Sequence, residues 1–161
     1  MKPDIRVLQE KKLLGRNKNM SYSKNTTREL WQSFMPLKKH IRNNIDSNLY
    51  SLQIYNSDFN FNNFTPQKEF IKWAAIEVPD YDSVPDELET YILQGGLYAV
   101  FFHKGTATEF HKTFAAIFTD WLPNSDYDID HRAHFELLGE NYSNTDPISE
   151  EEIWIPIKLK K

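Results

Sequence analysis

The sequence predicts an α+β domain in which two strand–helix–strand–strand units, related by a pseudo-twofold, form an antiparallel sheet with both helices on one face. Three observations carry this. A Thr-x-x-Glu box occurs twice, at residues 26–29 and 106–109, each time ahead of apolar residues at helical spacing. Apolar residues alternate at a period of two in Ala74, Ile76 and Val78 and again in Ile153, Ile155, Ile157 and Leu159. The same features also recur in order at a nearly constant interval. Glu29 and Glu109 are 80 positions apart, Pro36 and Pro123 are 87, Trp73 and Trp154 are 81, and residues 49–53 fall against 132–136 at 83. One unit alone would leave an apolar sheet face exposed, so pairing two is the economical way to bury it. A single domain is therefore expected, with its first unit at about residues 3–79, a linker at about 80–90 and the second unit at about 91–161.

The elements follow in chain order. Residues 11–22 read as an extended segment interrupted by Gly15. Thr26 and Glu29 are expected to cap a helix that carries Leu30, Trp31, Phe34, Met35, Leu37 and Ile41, with Pro36 marking a kink or an end. Residues 49–55 predict a strand, 56–65 an Asn/Asp/Phe-rich connection, and 69–78 a second strand. Residues 79–87 are acidic, contain Pro79 and Pro85, and read as the linker. The pattern then restarts. Residues 97–103 predict a strand between Gly95-Gly96 and Gly105, and the second box opens a helix with Phe110, Phe114, Ile117, Phe118 and Trp121 that Pro123 stops. Residues 134–139 and 153–159 predict the last two strands.

Composition narrows the function classes. The 161 residues are 40% hydrophobic and 26% charged, as in a globular domain with its own core. A net charge of −4 disfavours non-specific nucleic-acid binding, and Lys11-Lys12, Arg16-Asn17-Lys18 and Lys38-Lys39 are short enough to be solvated surface. There is no cysteine, which excludes disulfides, thiolate metal sites and a cysteine nucleophile. No apolar run is long enough to span a bilayer, and the polar, lysine-rich first 20 residues carry no secretory signal, so a cytoplasmic protein is expected. Of His103, His111, His131 and His134, only the last two are close in sequence, and no metal site or cofactor is expected. Ser125, Asp130 and His131 lack a nucleophile elbow, and His103-Lys104-Gly105 reads as the turn that starts the second helix.

Strand alternation assigns faces. The Ile153 row and the Ala74 row are expected beneath the helices, which turns Trp154 and Trp73 towards the other side. That side is expected to be open, and two bulky aromatics there invite a ligand. Phe135 and Leu137 form the apolar row of their strand, so Glu136 is placed with His134 and Leu138 on the tryptophan side. Its counterpart in the first unit is Gln53. A carboxylate among aromatics loses hydration and calls for a partner, which a ligand cation could be.

The second half resembles the GyrI-like small-molecule-binding domain, also called the AraC-type effector-binding domain. The matching residues are Tyr98-Ala99-Val100-Phe101, His103-Lys104-Gly105, Trp121-Leu122-Pro123 with Ser125 and Tyr127, Phe135-Glu136, and Glu152-Ile153-Trp154-Ile155-Pro156-Ile157-Lys158. The first half is similar more loosely, through Leu30-Trp31-Gln32-Ser33-Phe34 and Ala75-Ile76-Glu77-Val78. Residues 56–63 and 126–132 depart from the pattern. The resemblance implies a pseudo-twofold domain whose groove takes amphipathic, often cationic compounds, with Glu136 as the central polar ligand-binding residue. It also implies, by the early start of the first unit, that the DNA-binding head of multidrug-responsive regulators is lacking and that their role is not carried over.

The leading expectation is a stand-alone module that sequesters or senses a small, flat, amphipathic compound. Glu136 would supply charge, Trp73, Trp154 and Tyr98 stacking area, and Gln53, His134 and Trp31 the remaining contacts. The alternative is a hydrolase of an electrophilic small molecule, with Glu136 as general acid or base assisted by Tyr98. A third class is a protein-interaction module, with gyrase or a regulator as partner and the acidic residues 80–89 as its surface.

Overall fold

The computed structural model describes residues 1–60, 63–139 and 150–161. Nine strands form the sheet: β1 (Asp4–Leu8), β2 (Lys11–Met20), β3 (Leu49–Ile54), β4 (Phe70–Val78), β5 (Glu89–Leu93), β6 (Gly96–Lys104), β7 (Tyr127–Ile129), β8 (His134–Leu138) and β9 (Glu150–Leu159). Their order is β1-β6-β9-β8-β3-β4-β2-β5, with β7 paired to the end of β9, and every pairing is antiparallel. Helix α1 (Thr27–Lys38) follows β2, and helix α2 (Ala107–Ala116) follows β6. The expected class, with a large antiparallel sheet and two helices, is the observed one.

The strands that sequence patterning did not separate are β1, β5 and β7. They are short, three to five residues each, and largely exposed, so no apolar row marks them. β5 begins at Glu89, inside the stretch expected to be linker. Gly15 does not interrupt β2. It sits between Ala75 and Glu89, and a Cβ there would run into the Ala74 carbonyl oxygen, so glycine lets two strands close on one another.

The two helix starts differ. Thr106 accepts a hydrogen bond from the Glu109 amide at 3.4 Å, as expected of a cap. Thr26 makes no side-chain cap, and its buried Oγ1 has no partner among the described residues. Asn25 Oδ1 accepts from the Thr27 amide instead, at 3.0 Å. Pro36 occupies the last turn of α1, which ends two residues later at Lys38. Beyond α2 the chain passes through a π turn (Ile117–Trp121), which buries Ile117 and Phe118, and a last turn (Leu122–Asn124) that contains Pro123.

Register decides the two faces. Ala74, Ser51, Glu136, Ile153 and Phe101 are successive cross-strand partners, so they share one face. Both helices lie there. α1 covers Leu14, Phe70, Ala74, Ile76 and Val78, and the α2 region covers Ala99, Phe101, Ile153, Ile155 and Ile157. The adjacent row, Trp73, Leu52, Phe135, Trp154 and Val100, points the other way.

The helix-free face is not the open groove expected from the sequence. Leu8, Leu13 and Leu93 close with Trp73, Tyr98, Phe135 and Trp154 into one cluster in which no residue is more than 9% exposed. Leu8 of β1 and Leu93 of β5, strands from opposite ends of the order, both belong to it. Each tryptophan removes on the order of 200 Å² from water, an upper bound of roughly 5 kcal/mol of burial. The tryptophans hold the fold.

Candidate functional site

The middle of the helix-bearing face carries a polar island. Glu136 and His134 come from β8, Ser51 and Gln53 from β3, and Lys72 from β4, and all five are buried. Alternation places them: Lys72 has the same parity as Phe70, Ala74 and Ile76, and Glu136 the same as His134 and Leu138. Gln53 Nε2 donates to Glu136 Oε1 at 3.0 Å. Lys72 Nζ stands 3.8 Å from the same oxygen, with side chains 8% and 11% exposed. Burial pushes the Glu136 carboxyl up, against the Lys72 charge and the Gln53 hydrogen bond, and pushes the Lys72 ammonium down.

Two more titratable groups bear on the pair, His134 within the island and Glu151 at its border. Burial holds the His134 imidazole down at about 3, and its Nδ1 has no hydrogen-bond partner among the described residues. Glu151 pairs with Leu138 across β8 and β9. Burial, and next the charge on Glu136, push its carboxyl up to about 8.

An aromatic cleft of about 240 Å³ borders the island, meeting it at His134. The first half of the chain lines it with Tyr22, Tyr55, Phe59 and Phe64, and the second half with His111, Phe114, Ala115 and Phe118. The hydroxyls of Tyr22 and Tyr55 hydrogen-bond to each other at 2.7 Å. Tyr55 stacks on Phe59 at 4.3 Å between ring centroids and meets the His134 ring edge-on at 4.9 Å. Phe118 lies parallel to that imidazole at 6.4 Å. Burial pushes the Tyr22 hydroxyl up to about 12 and also pushes the Tyr55 hydroxyl up, and the negative charge on Glu136 raises both. The cleft is apolar at its walls, phenolic at its base and charged beneath.

The structure therefore divides the expected site. Glu136, Gln53 and His134 come together. Trp73, Trp154 and Tyr98 do not join them, because register puts all three on the helix-free face. Trp73 packs on Tyr91 at 5.2 Å, Trp154 stacks on Phe135 at 5.2 Å, and the Tyr98 hydroxyl donates to the Ala133 carbonyl at 2.7 Å. Trp31 packs edge-on to Phe34 at 5.8 Å beside the α1 core, outside the cleft. Sequence reasoning missed Lys72, Tyr22, Tyr55, Phe59 and Phe64. The signal for Lys72 was present: a lysine sits at the parity of an apolar row. No comparable signal marked residues 56–65, of which 61 and 62 lie outside the described residues.

The sequence matches the GyrI-like small molecule binding domain over residues 1–158. The chain belongs to that family. Transcriptional regulator BrlR of Pseudomonas aeruginosa is 27% identical over 133 residues, which are 82% of this chain and 46% of the regulator. The chain thus spans less than half the length of that relative. Among solved structures, SAV2435 bound to tetraphenylphosphonium superposes with a TM-score of 0.71 at 16% identity, over 98% of this chain and 94% of the other. A hydrolase from Listeria innocua superposes at 0.61 with 13% identity, over 98% and 92%. At such identities these likenesses establish the shared fold of this GyrI-like chain. No helix among the described residues is long and apolar enough to cross a membrane. Nor do three His, Asp or Glu among them gather to hold a metal ion.

Proposed function

We propose that this GyrI-like domain binds small, flat, amphipathic compounds in the cleft between the 55–64 connection and α2, with Glu136 and Gln53 as the polar anchor below. The observation that carries this is an aromatic-walled cleft whose Tyr55, Phe59 and Phe118 meet His134, two residues along β8 from the buried, hydrogen-bonded Glu136. Apolar walls with a few convergent polar groups are the usual form of a small-molecule site. The cleft draws four lining residues from each half of the chain, so ligand binding would bridge the two halves. SAV2435, which shares the fold, is bound to tetraphenylphosphonium, a small compound that is likewise aromatic over most of its surface.

No tryptophan lines the cleft, so intrinsic tryptophan fluorescence is a poor reporter. Calorimetric titration with a panel of flat aromatic amphiphiles tests the proposal. Saturable binding is expected, lost in Phe114→Asp and weakened in Glu136→Gln. Binding unaffected by either substitution, or absent across the panel, would overturn it.

A hydrolytic role has less support. Tyr98, the phenol expected to assist Glu136, is engaged on the opposite face. The phenols above Glu136 are Tyr22 and Tyr55, whose raised hydroxyls are poor proton donors near neutrality. Recovery of unaltered electrophilic ligand after incubation, measured by mass spectrometry, is the expected result.

A further inference from the structure

We propose that Lys72 sets the charge preference of the cleft, so that it takes uncharged aromatic compounds carrying a strong hydrogen-bond acceptor in preference to lipophilic cations. This rests on the cleft being the ligand site, and it adds the class of ligand. A buried carboxylate attracts a cation only if its charge is unmet. Here Lys72 Nζ already stands 3.8 Å from Glu136 Oε1, on the oxygen that also accepts from Gln53. Transfer of a proton from Lys72 to Glu136 would leave the net charge of the pair unchanged, so in either state the island offers no free negative charge. A ligand cation must displace the ammonium or settle beside it, where like charges repel strongly in a water-poor setting.

The surrounding row adds no anion. Across the sheet it reads Lys18, Lys72, Gln53, His134, which is two amines, an amide and an imidazole. Glu151 is the other acid electrostatically coupled to the pair, and it keeps its proton at neutral pH. At 3.8 Å the Lys72–Glu136 contact is an ion pair without a hydrogen bond, so the ammonium retains donors that a neutral acceptor oxygen could take. The occupant that satisfies the site is therefore flat or propeller-shaped, apolar over most of its surface, and tipped by an acceptor such as a phosphine oxide, an N-oxide or a carbonyl.

Triphenylphosphine oxide and methyltriphenylphosphonium test this directly, since they share three phenyl rings and differ chiefly in an oxygen against a methyl and in charge. In calorimetric titration the native protein should bind the oxide more tightly than the phosphonium by about tenfold or more, the equivalent of ~1.4 kcal/mol. Lys72→Met should narrow or reverse that ratio by a gain in phosphonium affinity. Lys72→Gln, which keeps a donor without the charge, should gain phosphonium binding and retain the oxide. Should either variant fail to fold, the ratio on the native protein still decides. Equal or tighter phosphonium binding by the native protein, or a ratio unmoved in both variants, overturns the charge preference alone. Binding of neither probe to any of the proteins overturns the cleft as ligand site along with it.

Discussion

Gln53 donates to Glu136 across the paired strands β3 and β8, two residues along from the direct partner Ser51. The amide and the acid lie 83 positions apart in the sequence, and the fold brings them into contact at the centre of the sheet. Replacing Gln53 by Leu would take from a buried carboxylate the amide donor that stands at 3.0 Å. A hydrogen bond to a charged group is worth about 1.5–3 kcal/mol. Urea unfolding of Gln53→Leu at neutral pH should show a loss of that order.

The base of the cleft depends on Tyr55, which bonds Tyr22, stacks on Phe59 and covers His134. Tyr55→Ala removes all three contacts at a half-buried position, so ligand affinity should fall by about tenfold while the fold persists. Calorimetry against the tightest ligand of the panel, with circular dichroism as the control, checks this.

Trp154 and Trp73 should behave in the opposite way. Both belong to the core of the helix-free face, and truncation of such a side chain costs about 3–5 kcal/mol. Trp154→Ala should lower the thermal midpoint strongly and leave the affinity of the folded fraction unchanged. A selective loss of affinity with an unchanged midpoint would return the tryptophans to the binding site.

Stability should fall in acid through His134. The folded imidazole takes a proton only at about 3, whereas the unfolded chain takes one near the ordinary 6.5. The unfolded state therefore binds more protons between those values, and stability present above pH 6.5 is lost as pH falls towards 3. Between pH 7 and 4.5 this amounts to about 2–3 kcal/mol. His134→Leu should remove that part of the slope in urea unfolding.

Glu151 acts with the opposite sign. Its folded carboxyl keeps a proton up to about 8, while the unfolded one loses it near 4.5. Stability present below pH 4.5 is thus lost as pH rises to about 8. Glu151→Gln should match the native protein at pH 4.5 and exceed it at pH 8 by about 1–3 kcal/mol, allowing for partial exposure of the group.

Much of the architecture was legible in the residues. The Ile153 and Ala74 rows do lie beneath the helices, and Trp73 and Trp154 do turn away from them, because alternation along a strand is local geometry. Glu136 was identified as the polar residue of interest, with Gln53 and His134 beside it. Lys72 escaped notice although its parity among Phe70, Ala74 and Ile76 marked it. The cleft walls contributed by Tyr55, Phe59 and Phe64 come from a connection without periodicity, where a sequence offers no rule for direction.

What the two strand–helix–strand–strand patterns determined by themselves was the kind of elements, most of their order, and which residues within each strand share a face. Whether Glu136 shares a face with the tryptophans was decided only by register. Phe135 falls opposite Trp154, so Glu136 falls opposite Ile153, beneath the helices. A shift of one residue would invert that relation for the whole strand, and no pattern inside a five-residue strand encodes it. Tertiary structure also decided that the helix-free face is closed, because side chains from strands at both ends of the order join one buried cluster there. The proposed binding face is therefore the one that carries the helices, where the paired Lys72 and Glu136 lie beside an aromatic cleft.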